Sequence, residues 1–307
     1  MLKLMHLTVT SFSTTHHMKR AVLALLVASL APHAVALRLD GQRVVVTGGG
    51  RGIGKALALL CAEEGAHVAI LARSHEELAA VVDEAAARGV TTPLRMYTAD
   101  VTDEASVEEA VASLVDDMGG VDVLLNNAGN SCRKGPLHEQ SAADFRALLD
   151  VNVVSVLIVS SAVMRHAMLR QGKGSIINIS SRAGKVGLPN MGPYVASKFA
   201  VEGLTATLAA EGREHGIRVN SISPGMVDTR SFPKAPGRPG VRTAESIRDG
   251  LFYLLLGDAG KAGDTAMTDG GVSGVYLHVD EFDEAVAAGR PETALRPIDE
   301  QPFTCVA

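Results

Sequence analysis

From Arg43 to Thr268 the chain alternates short apolar runs with longer stretches of helical period, and that alternation restricts the fold more than any other feature. The strand-like runs are Arg43–Thr47, Val68–Ala72, Leu94–Ala99, Val121–Leu125, Ser175–Ser180 and Arg218–Ser223, with a last short one near Asp264–Thr268. Between them lie helical patterns: Ile53–Glu64, a segment opened by Ser74, one capped by Thr102, then Asp144–Arg170, Tyr194–His215 and Ala244–Leu256. Ser74 with Glu77 forms a capping box, and Gly65 and Gly216 close two of the helices. Strands alternating with helices imply βαβ units, right-handed crossovers and a parallel sheet. Helices cover both faces of such a sheet, so its strands read as unbroken apolar runs, as these do. The expected fold class is therefore α/β, a doubly wound parallel sheet in a single domain over residues 41–274. With 47% hydrophobic residues, 4% aromatics and no Trp, its core must be aliphatic.

The net charge of -5 argues against a dedicated nucleic-acid binder. The three cysteines, Cys61, Cys132 and Cys305, lie far apart and give neither a disulfide framework nor a thiolate metal site. No His/Asp/Glu cluster has ligand spacing, so no metal is expected. The first forty residues differ from the rest. No acid precedes Asp40, and Lys19-Arg20 leads into an apolar run, Ala21–Ala31, followed by Ala34-Val35-Ala36. A basic start, a short greasy stretch and a small-x-small end describe a signal peptide. Residues 1–36 are therefore expected to direct the chain to the secretory pathway and endoplasmic reticulum, with a plastid or mitochondrial presequence as the alternative. The run is too short for a stable membrane span, and Pro32 and His33 break it. At the other end, 275–307 is acidic and without strong period, and reads as a surface-draped or frayed tail.

Thr47-Gly-Gly-Gly-Arg-Gly-Ile-Gly54 joins the first strand to the first helix. Glycines there allow a tight turn and a close approach of backbone to a pyrophosphate, and the helix start supplies free N–H groups. Further motifs follow in order: Asp100 after the third strand, Asn126-Asn127-Ala128-Gly129 after the fourth, Asn152 in the next helix, Ser181 after the fifth strand, Tyr194-Val-Ala-Ser-Lys198, and Pro224-Gly225 after the sixth. The spacing T-G-x-x-x-G-x-G and this series resemble the short-chain dehydrogenase/reductase family over about residues 41–274. The resemblance implies a Rossmann fold and a nicotinamide cofactor. It implies cofactor contacts from Gly48, Gly50, Arg51, Gly52, Ile53, Gly54, Asp100, Val101, Asn127, Ala128, Gly129, Pro224, Gly225, Val227 and Thr229, joined by Tyr194 and Lys198.

The same resemblance implies a catalytic set of Asn152, Ser181, Tyr194 and Lys198. Tyr194 and Lys198 are four apart and share a helix face. A phenol is a poor acid or base near neutrality, and a neighbouring ammonium favours its phenolate. Tyr194 would give a proton to a carbonyl oxygen, or take it from an alcohol, while the nicotinamide carries the hydride. Ser181 would hold the substrate oxygen, with Ser180 as the alternative. Asn152 would hold a water in a proton relay through Lys198.

An acid at the end of the second strand marks NAD sites. Ala72 stands there instead, followed by Arg73, with Arg51 inside the glycine turn, so NADP(H) is expected. The stretch Met226–Thr243 would form a lid, and its Arg230, Lys234, Arg238 and Arg242 suit an anionic substrate, with Arg182 in the same pocket. Asn178-Ile-Ser180 matches a glycosylation acceptor but sits in a central strand, so it is expected unmodified. The expected activity is reduction of a small-molecule carbonyl or oxidation of an alcohol by a homodimer or homotetramer, with helices 144–170 and 194–215 as the interface. Alternatives are a 3-oxoacyl-carrier-protein reductase and a non-catalytic nucleotide-sensing scaffold.

Overall fold

The computed structural model describes residues 38–230, 232–235, 237–256, 272–298 and 304–305. The proposed targeting segment 1–36 and the strand expected near Asp264–Thr268 lie outside them. Nine-residue to thirty-residue helices flank an eight-stranded sheet. Its strands are β1 Arg43–Thr47, β2 His67–Ala72, β3 Leu94–Thr98, β4 Val123–Asn126, β5 Gly174–Ile179, β6 Ile217–Ser223, β7 Val275–His278 and β8 Leu295–Pro297. Their order is β8-β7-β6-β5-β4-β1-β2-β3; only the β7–β8 pair is antiparallel. The order reverses between β1 and β4, where a ligand crevice opens at the carboxyl ends of the strands.

The helices are α1 Gly52–Glu63, α2 His75–Ala87, α3 Glu104–Met118, α4 Ala142–Gln171, α5 Gly192–Gly212, α6 Arg248–Leu256 and α7 Val279–Ala287. Ser74 caps α2, its hydroxyl accepting from the Glu77 amide at 3.2 Å. The cap of α3 is Asp103, not Thr102: the Asp103 carboxylate accepts from the amides of Ala105 and Ser106, while Thr102 donates to Asp100. A carboxylate at a helix start gains from the dipole as well as the hydrogen bonds, which explains the one-residue shift. The core forms two layers. One side of the sheet buries α1 and α6 with Leu57, Leu59, Leu251 and Phe252; the other buries α3 and α4 with Val107, Leu114, Val159 and Val163.

Two features differ from the sequence expectation. The seventh parallel strand is β7, beyond the expected domain end at 274, and it pairs Tyr276, Leu277 and His278 with Ser221, Ile222 and Ser223. The segment 275–298 is no frayed tail: Val279, Phe282 and Ala285 of α7 are buried against the sheet. Their three-residue spacing is a helical stripe that the surrounding acids mask. Second, α4 is interrupted by two π-type turns, Asp150–Val154 and Met164–Met168. It is the one helix among the described residues long and apolar enough to cross a bilayer, yet half of its apolar stretch is buried within the protein.

Candidate active site

The crevice at the carboxyl ends of the strands is a cleft of about 1130 Å³. Its floor begins at the turn between β1 and α1. Gly48 has φ +64° and Gly52 φ +55°, conformations that side chains oppose. A Cβ at Gly54 would fall 2.1 Å from the Gly48 carbonyl oxygen and 2.4 Å from the Asn127 amide nitrogen. Arg51 caps α1 without any side-chain acceptor for the first amides of the helix. These donors and the positive end of the helix suit a pyrophosphate, and the absence of side chains leaves room for it. Thr47 ties this turn to the loop after β4: its hydroxyl accepts from the amides of Asn127 and Ala128, each at 3.0 Å.

Gly48, Gly50, Arg51, Gly52, Ile53, Arg73, Asp100, Val101, Asn127, Ala128 and Gly129 line one half of the cleft. Ser181, Tyr194, Lys198, Pro224, Gly225, Val227 and Thr229 line the other. Gly54 and Asn152 stand just behind the wall. At the adenosine end, Glu77 pairs with Arg51 at 3.1 Å and with Arg230 at 3.6 Å, and Arg73 lies 3.9 Å from Asp100.

Around Tyr194 the polar contacts form one chain. Ser181 faces the Tyr194 phenol across the cleft and favours its ionised form. The adjacent Ser180 hydroxyl is buried, has no partner and lies beside Gly184 and Glu202, so only one of the two serines meets the phenol. Strand alternation sends the two side chains to opposite faces. One turn along α5, the Lys198 ammonium donates to the Ile179 carbonyl at 2.8 Å and stands 5.8 Å from the Tyr194 ring centre. Asn152 occupies the first π-type turn. Its amide nitrogen donates to the Asn130 carbonyl and to the Ser197 hydroxyl, and its oxygen accepts from the Asn130 amide. Ser197 in turn donates to the Tyr194 carbonyl at 2.7 Å. The side chain of Asn152 thus braces the loop after β4 against α5. A π-type turn is the sort of helix defect that redirects a residue at a functional site.

Burial raises the Tyr194 phenol to about 12, with the Ser181 hydrogen bond opposing it, and lowers the Lys198 ammonium to about 8, with Glu202 opposing it. The expected depression of the phenol by its lysine neighbour is absent in the protein alone. Desolvation dominates at both groups, and the Lys198 ammonium is bonded to a backbone carbonyl.

Several wall residues escape the motif reading. Phe232 meets Tyr194 edge-on at 5.3 Å between ring centres. Cys132, Leu188 and Met191 complete an apolar pocket around the phenol. His278 and Asp280, beyond the expected domain end, also line the cleft, and the His278 ring accepts from the Asp280 amide at 3.3 Å. The position of His278 at the carboxyl end of a strand was the available signal, hidden because that strand was expected elsewhere.

The family described as short chain dehydrogenase matches residues 42–237, and the chain belongs to it. It is therefore a Rossmann-fold member of a family of nicotinamide-dependent oxidoreductases. A 3-oxoacyl-acyl-carrier-protein reductase of Thermotoga maritima is 39% identical over 231 residues, 75% of this chain and 89% of the relative. A gluconate 5-dehydrogenase of Burkholderia cenocepacia, solved with NADP and tartrate, superposes with a TM-score of 0.68 at 32% identity, covering 80% of this chain and 95% of that one. An NAD-bound xylitol dehydrogenase superposes with a TM-score of 0.65 at 34% identity, covering 72% and 94%.

Proposed function

We propose that the protein is an NADP(H)-dependent oxidoreductase that interconverts a carbonyl and a secondary alcohol, with Tyr194 as general acid and base. The observation that carries this reading is the gathering of Ser181 at the end of β5, the buried Tyr194 phenol and Lys198 one turn behind it on one wall of the cleft that the glycine turn also lines. When bound, the nicotinamide supplies or accepts the hydride. Ser181 donates a hydrogen bond to the substrate oxygen, and Tyr194 gives it the proton in reduction or removes it in oxidation. Lys198 holds positive charge behind the phenol, and Asn152 keeps α5 and the loop after β4 in register. NADP(H) is favoured by Ala72 where an NAD site would carry an acid, and by Arg51, Arg73 and Arg230 around the adenosine end. Relatives bind either dinucleotide, so kcat/KM with NADPH against NADH decides this point; preference for NADH overturns it. The main test is Tyr194→Phe against a panel of carbonyls. Loss of about 10²- to 10⁴-fold in kcat is expected, with NADPH affinity retained by fluorescence titration. Retained turnover would refute the role.

The likeness to the Thermotoga maritima reductase supports a second reading, reduction of a 3-oxoacyl group on a carrier protein. Turnover of acyl-carrier substrates, with none of free ketones, would favour it. We further propose an oligomer joined through α4 and α5, since Val154 and Leu157 stay exposed on α4; sedimentation as a monomer would exclude it. The acid-free leader supports delivery to the secretory pathway, to be tested by imaging a C-terminally tagged full chain, with mitochondrial or plastid signal as the opposing outcome.

A further inference from the structure

We propose that the substrate half of the cleft holds a subsite for an anionic group, a carboxylate or phosphate, formed by Lys134, Lys234 and Arg238. The substrate would then be a short aliphatic oxo acid or its hydroxy counterpart, which rests on the carbonyl–alcohol reading above. Lys134 comes from the loop after β4, and Lys234 and Arg238 from the loop after β6, so their convergence on one cleft wall is made by the fold and not by a run in the sequence.

The two ends of the cleft differ in how their cations are partnered. At the adenosine end Arg51, Arg73 and Arg230 each have a carboxylate within 4 Å. Lys134, Lys234 and Arg238 form no ion pair with any described residue. Asp228, the acid that acts on Lys234 among the described residues, accepts from the backbone amide of Lys234 at 2.9 Å. Burial lowers the Lys234 ammonium; Asp228 opposes the shift, while Lys134 and Arg238 add to it by repulsion. Like charges that outnumber the acid beside them in a partly closed space favour binding of an anion.

Lys234 also fixes the distance to the chemistry. Its ammonium stands 4.4 Å over the centre of the Phe232 ring and donates to the Phe232 carbonyl at 2.7 Å. The same ring lies 5.3 Å from that of Tyr194. Phe232 thus touches both the Lys234 ammonium and the Tyr194 ring, which brings the cation near the phenol and suits a short spacer between the anionic group and the reacting carbon. The wall between them is Phe232, Cys132, Leu188 and Met191, which offers few partners to a hydroxylated chain. An aliphatic spacer fits this wall better than a polyol.

The test uses the full chain with NADPH and three ketones of one skeleton: 4-oxopentanoate, its methyl ester and 4-oxopentyl phosphate. The anions are expected to exceed the ester at least tenfold in kcat/KM, mainly through KM and less so as salt rises, and the better anion identifies the group. Lys134→Gln/Lys234→Gln should abolish the preference. Equal or better use of the ester overturns the subsite. Calorimetry of pentanoate against pentanamide on the protein with NADP reads the subsite without turnover. Tighter carboxylate binding that the double variant loses supports it, and equal binding overturns it. A protein that reduces the ester in a Tyr194-dependent way without preferring anions keeps the carbonyl reading and loses the subsite. One that binds pentanoate but reduces no ketone keeps the subsite and loses that reading.

Discussion

At the adenosine end a single methyl group on Gly54 would strike a backbone carbonyl oxygen 2.1 Å away, whereas at the substrate end Tyr194 meets Phe232 of the lid edge-on at 5.3 Å between ring centres. The first half of the cleft is shaped by main chain packed against main chain, and Thr47 and Asn127 lock it to the neighbouring strand. The second is shaped by side chains on loops. Backbone walls tolerate no substitution; side-chain walls can be exchanged at modest cost. A cofactor shared across many enzymes needs the first kind of wall, and a substrate that differs between them needs the second.

The largest expected effect breaks the rigid half. Gly54→Val should weaken NADPH binding by more than about 100-fold, close to 2.7 kcal/mol, measured by fluorescence titration; near-native affinity would mean that the turn can yield. The next concerns the buried cation between the halves. Lys198 titrates near 8 when folded against 10.5 when free, so its buried charge costs stability below pH 8, and that cost is relieved as pH rises through 10.5. Lys198→Met should therefore be more stable than the parent protein at pH 7, and the advantage should shrink by about 2 kcal/mol towards pH 10. Denaturant melts at the two pH values check it, and a pH-independent difference would contradict it. Within the adaptable half, Phe232→Ala should cost about tenfold or less in kcat/KM, roughly 1 kcal/mol, and leave NADPH affinity unchanged. A large loss of NADPH affinity would show that the halves are not separable. Smallest of all, Ser180→Ala should shift stability by less than about 1 kcal/mol because its hydroxyl bonds nothing, while Ser181→Ala should sharply lower turnover.

The rigid half was legible in the sequence because its determinants are local. The glycine turn and the Asn127 loop each lie within one strand–loop–helix unit, and the Tyr194/Lys198 pair of the other half was readable for the same reason, from its four-residue spacing on one helix. The Ser74 cap was readable for the same reason. That the strand Val275–His278 escaped the sequence reading has a different cause. Val275–His278 is four residues long and is followed by Asp280, Glu281, Asp283 and Glu284, so its apolar signal is swamped by α7 surface charge. The loop partners of Tyr194 were unreadable because Cys132 and Phe232 meet only after 100 residues of intervening chain have folded. The phenol's upward shift could not be inferred either, since it comes from burial among residues of distant loops, which leaves no mark in a motif.

Placing β7 after residue 274 also sets an order of events during biosynthesis. His278 and Asp280 close one wall of the cleft, and β7 zips onto β6 only when those residues have left the ribosome. Until then the nascent chain presents a finished nucleotide turn beside an unpaired strand edge, the kind of surface that chaperones engage. Competence for hydride chemistry thus arrives late in translation, with a segment whose composition gives little hint of its importance.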